Sequence, residues 1–262
     1  MITSIKNAKI KLVRELIGSK KHREKTHSLV IEGVRLVEES LAANAHVLSC
    51  LFSAHISERG RNIVEQLQSL SIETDEVSED LMDRLSDTKT SQGILLISSY
   101  PKVPLKPMID FVIVLDKIRD PGNMGTILRS ATALGIGAVF LTPGTTDPYA
   151  PKVMRAAMGA HFRLPIRTMS PREINSFCKE ENGLELSILL SDAGCKNTSW
   201  EVDLTKPVCI LIGSEGDGVS AEMREITDGC ISIPMGPDME SFNAAISASI
   251  LMYEMSRQRK TK

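Results

Sequence analysis

At 262 residues, 42% of them hydrophobic and 24% charged, the chain has the make-up of an ordinary globular protein long enough for two domains. A formal net charge of −2 excludes a generally cationic nucleic-acid coat. No apolar run approaches the roughly 18 residues that a membrane span needs, and the start MITSIKNAKIKLV lacks the apolar core of an export signal, so a cytoplasmic protein is expected.

The charge is unevenly spread. Lys6, Lys9, Lys11, Arg14, Lys20, Lys21, Arg23 and Lys25 face only Glu15 and Glu24 in the first 27 residues, and Arg257, Arg259, Lys260 and Lys262 lie in the last six. Basic ends on a mildly acidic body suit a polyanion such as nucleic acid, or are simply solvated. The five cysteines, at 50, 178, 195, 209 and 230, are odd in number and lack any CxxC or Cys/His ligand spacing. Reduced thiols, several of them core, are expected, and no metal site.

In chain order, residues 3–18 carry Ile5, Ile10, Leu12, Val13, Leu16 and Ile17 among basic residues, the pattern of an amphipathic helix. Ser28–Gly33 predicts a strand, Val34–Asn44 a helix, Val47–Phe52 a strand and Ser57–Leu70 a helix. A short strand at Ile72–Val77, a helix at Glu79–Leu85 and a strand at Gly93–Ser98 complete a small α/β module. YPKVPLKPM, residues 100–108, has prolines at 101, 104 and 107, which favour a stiff extended linker. The expected organisation is therefore a domain at 1–100, a proline-rich linker at 101–108 and a second domain at 109–262.

The second domain alternates more regularly. Phe111–Leu115 predicts a fully apolar strand, DPGN a turn and Met124–Leu134 a helix. Strand Ala138–Thr142, helix Ala150–Gly159, strand Phe162–Ile166, helix Pro171–Glu181 and strand Leu184–Ser191 follow. Strand Val208–Ile212, helix Ser220–Thr227, strand Ile231–Met235 and a long helix from about Ser241 close the pattern. Near-continuous apolar strands separated by helices predict a mostly parallel sheet with helices on both faces.

In such a sheet, ligands sit beyond the carboxyl ends of the strands. Three of those ends are rich in glycine or polar residues: DKIRDPGNMGTILRS after Leu115, GSEGDGVS after Ile212 and GPDMESFNAA after Met235. Glycine clusters there let backbone approach a ligand and present N–H groups to it. The last loop places Glu240, Ser241 and Asn243 at the mouth of a strongly apolar helix, where Ser241 is either a helix cap or part of a site. Nucleotide fingerprints are missing: there is no GxxxxGK[ST], and Gly213, Gly216 and Gly218 do not make a GxGxxG. HExxH and GxSxG are missing too, so Walker-type phosphoryl transfer, hydride transfer and zinc hydrolysis lack their parts.

In their order and spacing, Asp120–Gly135 (DPGNMGTILRSATALG), Ile212–Gly218 (IGSEGDG) and Ile231–Glu254 resemble the three motifs of the SPOUT-class, TrmH/SpoU-type RNA ribose 2'-O-methyltransferases. Residues 29–41 (LVIEGVRLVEESL) and 85–97 (LSDTKTSQGILLI) resemble the family's small N-terminal α/β RNA-binding domain. The resemblance implies a C-terminal domain tied in a deep trefoil knot, S-adenosylmethionine as cofactor, a structured RNA as substrate (ribosomal rather than transfer RNA) and a homodimer. It assigns Asn123, Arg129, Glu215, Ser241 and Asn243 to catalysis, and Gly213, Ile233 and Phe242 to cofactor binding. The third motif departs from the usual Ser-Leu-Asn-Val-Ser, reading Ser-Phe-Asn-Ala-Ala, so Ala245 lacks a hydroxyl. A catalytically inactive RNA-binding or ribosome-assembly protein on the same fold is the alternative. Lys152 and Arg155 are either RNA contacts or exposed cations. Arginine stays protonated below pH of about 12, so an electrostatic role for Arg129 fits better than that of a general base.

Overall fold

The computed structural model describes residues 1–86, 88 and 90–260; Asp87 and Lys89 of the second N-terminal motif, and Thr261 and Lys262, lie outside the described residues. The chain divides into two compact units, one formed by Met1–Lys102 with Asp147–Phe162, the other by Val103–Thr146 with Arg163–Lys262.

The first unit runs α1 (Ala8–Gly18), α2 (Lys20–Thr26), β1 (Ser28–Glu32), α3 (Val34–Ala42), β2 (Val47–Phe52), α4 (Glu58–Ser69), β3 (Glu73–Glu76), α5 (Glu79–Leu85) and β4 (Ile94–Ser99). Its sheet has the order β1-β4-β2-β3, with β4 antiparallel to both neighbours and β3 parallel to β2. Successive strand residues point to opposite faces. Leu29, Ile31, Cys50, Ile94 and Leu96 therefore pack against Val37, Ile63, Val64 and Leu67, while Val30, Leu51, Leu95 and Ile97 pack against Ile10, Val13, Leu16 and Met82. Both faces are covered, which is why these strands read as continuous apolar runs. Arg23, only 4% exposed, donates through Nε to Asp147 at 2.9 Å and through Nη1 to the carbonyls of Leu16 and Ile17. That side chain closes the end of α1 and holds residues 147–162 to this unit.

The second unit contains β5 (Phe111–Leu115), α6 (Pro121–Leu134), β6 (Ala138–Leu141), β7 (Ile166–Thr168), α8 (Pro171–Ser176), β8 (Ser187–Ser191), β9 (Val208–Ile212), α9 (Ala221–Arg224), β10 (Gly229–Ile231) and α10 (Ala244–Lys260); α7 (Pro151–Ala157) belongs to the first unit. The six strands are parallel throughout, in the order β10-β8-β9-β5-β6-β7. On one face Val112, Val114, Phe140, Cys209 and Leu211 pack against Ile174, Phe177 and Met223. α10 packs against α6 and β9. The chain leaves β5 in one direction, through β6 and β7, and returns on its other side, so strand order reverses between β5 and β9. Such a reversal is where parallel sheets commonly take ligands, beyond the carboxyl ends of the strands.

Several elements depart from expectation. The DPGN segment is the start of α6 rather than a free turn: the Asp120 side chain accepts from the Asn123 amide, and Pro121 sits in the first turn, where its missing N–H costs nothing. The strand expected at Phe162–Ile166 lies at Ile166–Thr168, and residues 160–162 form a 3-10 turn. Pro165 cannot donate to a ladder, although its carbonyl accepts from Val139. The strand expected at Ile231–Met235 is Gly229–Ile231; beyond it Ser232 bridges Thr198, and Pro234 interrupts the donors. The helix expected at Pro171–Glu181 is α-helical to Ser176 and continues as a π turn, and that at Ser220–Thr227 shortens to Ala221–Arg224. Cys195 and Cys230 are joined by a disulfide, against the expectation of reduced thiols throughout. They are 35 residues apart, and the parallel pairing of β8 with β10, extended by the Thr198–Ser232 bridge, brings them together. Cys50, Cys178 and Cys209 are free and buried.

Candidate functional site

A buried carboxylate anchors the carboxyl end of β5. Asp116, with no exposed surface, accepts from the Thr142 hydroxyl at 2.6 Å and from the Ser220 amide at 2.6 Å. One acid thus ties the end of β6 and the end of the loop after β9 to β5. The next residue, Lys117, adopts φ +55, and its amide donates to Thr145 Oγ1 at 3.0 Å. A non-glycine residue in that left-handed region is uncommon, and here it turns the chain sharply into α6.

The loop after β9 closes on itself. Ser214 and Gly218 exchange backbone hydrogen bonds of 3.1 and 3.0 Å, which leaves Glu215, Gly216 and Asp217 at an exposed tip. Gly213 has no room for a side chain: a Cβ there would lie 2.3 Å from the Gly218 carbonyl carbon. The third loop crosses from β10 to α10. Asn243, and not Ser241, caps that helix, its Oδ1 accepting from the amides of Ala245 at 2.9 Å and Ile246 at 3.3 Å. Ser241 has no hydrogen-bond partner among the described residues, so the capping alternative for it fails.

The three loops meet through one directional chain of side chains. Asn243 Nδ2 donates to Asn123 Oδ1 at 3.1 Å, and Asn123 Nδ2 donates to the Glu215 carboxylate. Because the Asn243 oxygen is committed to helix amides and the carboxylate can only accept, both amide orientations follow from the network. Arg119 and Asp217 add an exposed ion pair between the first two loops at 3.3 Å, worth little in water.

Beside this chain opens a cleft of about 300 Å³, lined by Ser191, Asp192 and Ala193 after β8, Ile212 to Gly216 with Gly218 after β9, and Ile233, Met235, Glu240, Ser241, Phe242, Ala244 and Ser247 from the third loop and α10. Its lining comes mostly from the loops at the ends of β8, β9 and β10, and Ile212, Ile233, Met235 and Phe242 are its larger apolar residues. Polar loop residues beside apolar side chains suit a flat heterocycle with polar edges. Gly213, Ile233 and Phe242 all line it, as does Ser241. Asn123 and Asn243 stand at its rim through Glu215. Arg129 does not line it: the side chain is exposed on α6, with no ion pair or hydrogen bond among the described residues. Ala245 is 2% exposed and does not line the cleft, whereas its neighbour Ala244 does. The hydroxyl missing at 245 is therefore missing from packing, not from the cleft wall. Arg155 pairs with Glu32 at 3.3 Å within the first unit, while Lys152 is exposed.

Asp192 and Ala193 were not among the sequence candidates, although SDAG follows an apolar strand as the other three loops do. The rule applied to three strand ends would have found a fourth. Asp116 gave no such signal, since an acid after an apolar strand is indistinguishable from a turn residue.

Residues 110–253 match the SpoU rRNA Methylase family, and residues 7–96 match the MRM3-like substrate binding domain. The chain belongs to the SpoU rRNA methylase family. Its relatives include the 23S rRNA (guanosine(2553)-2'-O)-methyltransferase RlmP of Bacillus subtilis, 33% identical over 97% of this chain and 98% of that protein. Human mitochondrial rRNA methyltransferase 3 is 32% identical over 94% of this chain and 71% of its own length. Among solved structures, the SpoU methyltransferase AviRb from Streptomyces viridochromogenes, in complex with AdoMet, superposes with a TM-score of 0.90 at 27% identity, covering 98% of this chain and 99% of that one. A family member thus carries the three motifs on an all-parallel sheet; of the three loops that the sequence pattern singles out, those after β9 and β10 line the cleft, while the loop after β5 reaches it only through Asn123.

Proposed function

We propose that this chain transfers a methyl group from S-adenosylmethionine to a ribose 2'-hydroxyl of ribosomal RNA. One observation carries the reading: the side-chain sequence Asn243–Asn123–Glu215 joins all three motif loops at the rim of the cleft. Relatives named as rRNA 2'-O-methyltransferases and an AdoMet-bound structural neighbour support it. The donor set also fits the cofactor: loop amides and carbonyls around Gly213 and Ile233 for an adenine edge, Phe242 and Met235 for its faces, and carboxylates for the cationic end.

When bound, S-adenosylmethionine supplies an electrophilic methyl group on a sulfonium. The protein's part is alignment, water exclusion and stabilisation of a developing alkoxide. Ser241 lines the cleft without a partner, so it is the group left to orient the incoming hydroxyl. Asn243 and Asn123 are fully engaged with each other, the helix amides and Glu215, and act by positioning. Arg129 stands free on α6 and in this reading anchors an RNA phosphate and offsets oxyanion charge.

Further parts of the reading are the residues 1–100 domain as the RNA-docking module, the proline-rich linker at 101–108, the trefoil knot of the second domain, a cytoplasmic setting and a homodimer. For the homodimer the support is an apolar stripe on α10, where Ile246 is 47% and Tyr253 62% exposed with Ile250 half-buried between them. A stripe at i, i+4 and i+7 left uncovered on a long helix suits a second copy. Among the described residues no helix is long and apolar enough to cross a membrane and no cluster could hold a metal.

The test is direct. The purified chain is incubated with methyl-labelled S-adenosylmethionine and ribosomal RNA lacking the modification, and the product is mapped by alkaline hydrolysis, which 2'-O-methyl groups resist. Label at one or a few ribose positions is expected. Cofactor binding without transfer to any ribosomal RNA would favour the inactive RNA-binding alternative.

A further inference from the structure

We infer that the carboxylates around the cleft discriminate the cationic cofactor from its neutral product, so that methyl transfer itself loosens the spent cofactor. This rests on the proposed reading of the cleft as the S-adenosylmethionine site. The charged residues lining it are Asp192, Glu215 and Glu240, and among the described residues no lysine, arginine or histidine lines it. The Arg224 guanidinium lies beside this wall; it pairs with Asp192 at 3.3 Å and donates to the Val219 carbonyl at 3.0 Å. It offsets one acid, leaving two carboxylates without a cation. Glu215 is held by a neutral donor, the Asn123 amide, which orients the carboxylate without cancelling its charge. Glu240 has no ion pair or hydrogen bond among the described residues.

The ligands differ in charge where this wall can sense it. S-adenosylmethionine carries a sulfonium, an ammonium and a carboxylate, a net charge of about +1 near neutral pH, whereas S-adenosylhomocysteine keeps only the last two and is neutral. Three acids against the single offsetting Arg224 leave a net negative wall, which gives the charged form an advantage that the neutral form lacks. At about 7 Å and an effective dielectric between about 40 and 80, one carboxylate changes the affinity of a unit charge by about 3- to 7-fold. The same wall repels phosphate, so the RNA backbone must be held by cations outside the cleft while only the ribose enters.

Calorimetry on the full chain tests this with three probes: S-adenosylmethionine, S-adenosylhomocysteine and sinefungin, whose ammonium restores the positive charge at the sulfonium position. Glu240→Gln and Asp192→Asn remove charge while keeping an acceptor oxygen, which for Asp192 serves the Gly194 amide at 2.9 Å. The expected result is a loss of about 3- to 7-fold per carboxylate for S-adenosylmethionine and sinefungin, with S-adenosylhomocysteine within about 2-fold of wild type. Raising salt from about 50 to 500 mM should narrow the gap between charged and neutral ligands. Equal losses for all three ligands, or none for the two cations, would overturn the inference. Glu240→Gln decides alone if Asp192→Asn folds poorly. No heat from any ligand with the wild-type chain would instead reject the reading of the cleft.

Discussion

The polar groups of the first unit and those of the cleft obey opposite rules. Around Arg23 the charged groups are buried and answered: the guanidinium meets Asp147 and two carbonyls, and His161, 2% exposed, holds the Pro148 carbonyl through Nε2 at 2.7 Å, although His161 Nδ1 and the Tyr100 hydroxyl are buried with no hydrogen-bond partner among the described residues. Ser241 and Glu240 at the cleft, and Arg129 on α6 outside it, are exposed and have no side-chain partners among the described residues. Buried charges left unanswered are the costliest, so the Arg23–Asp147 pair is matched for stability. The second set is kept in water, where unmet valences can wait for a ligand.

Breaking the matched set should cost the most. Arg23→Ala leaves the Asp147 carboxylate buried without its cation, and a loss of about 3–5 kcal/mol is expected, read as a fall in the thermal midpoint of the first unit. S-adenosylmethionine affinity should stay within about 2-fold, since no cleft residue touches this pair.

Removing an unanswered group should do the reverse. Arg129→Ala is expected to lower methyl transfer by about 100- to 1,000-fold, the range for losing one donor that stabilises developing charge. Its thermal midpoint should stay within about 1 °C, and cofactor affinity within a few-fold. A fully active variant would remove Arg129 from the reaction.

A smaller, pH-dependent effect separates the two sets further. Burial pushes the His161 imidazole from 6.5 down to about 4, although the Pro148 carbonyl and Asp147 act against that shift. The unfolded chain therefore binds a proton between pH 6.5 and 4 that the folded chain refuses. This stabilisation is complete above about pH 6.5 and falls as pH drops toward 4, by about 3 kcal/mol in all. His161→Gln keeps a donor for Pro148 but cannot titrate, so denaturation midpoints at pH 7, 5.5 and 4.5 should show a flatter slope than wild type.

Much of the fold was legible because burial leaves a local record. Phe111–Leu115 and Val208–Ile212 were bounded to the residue, since a strand covered on both faces can hold only apolar side chains. The glycines at 213, 216 and 218 likewise announced a backbone approach that a Cβ at 213 would block. What adjoins what left no such record. That Asp192 would share a wall with Phe242, that Asn243 would donate to Asn123 as well as cap α10, and that Arg129 would lie outside the cleft all depend on the strand order β10-β8-β9-β5. So does the Cys195–Cys230 bond. Periodicity and turn chemistry are properties of neighbouring residues. Strand order is set by contacts between residues tens of positions apart, and only the folded chain decides it.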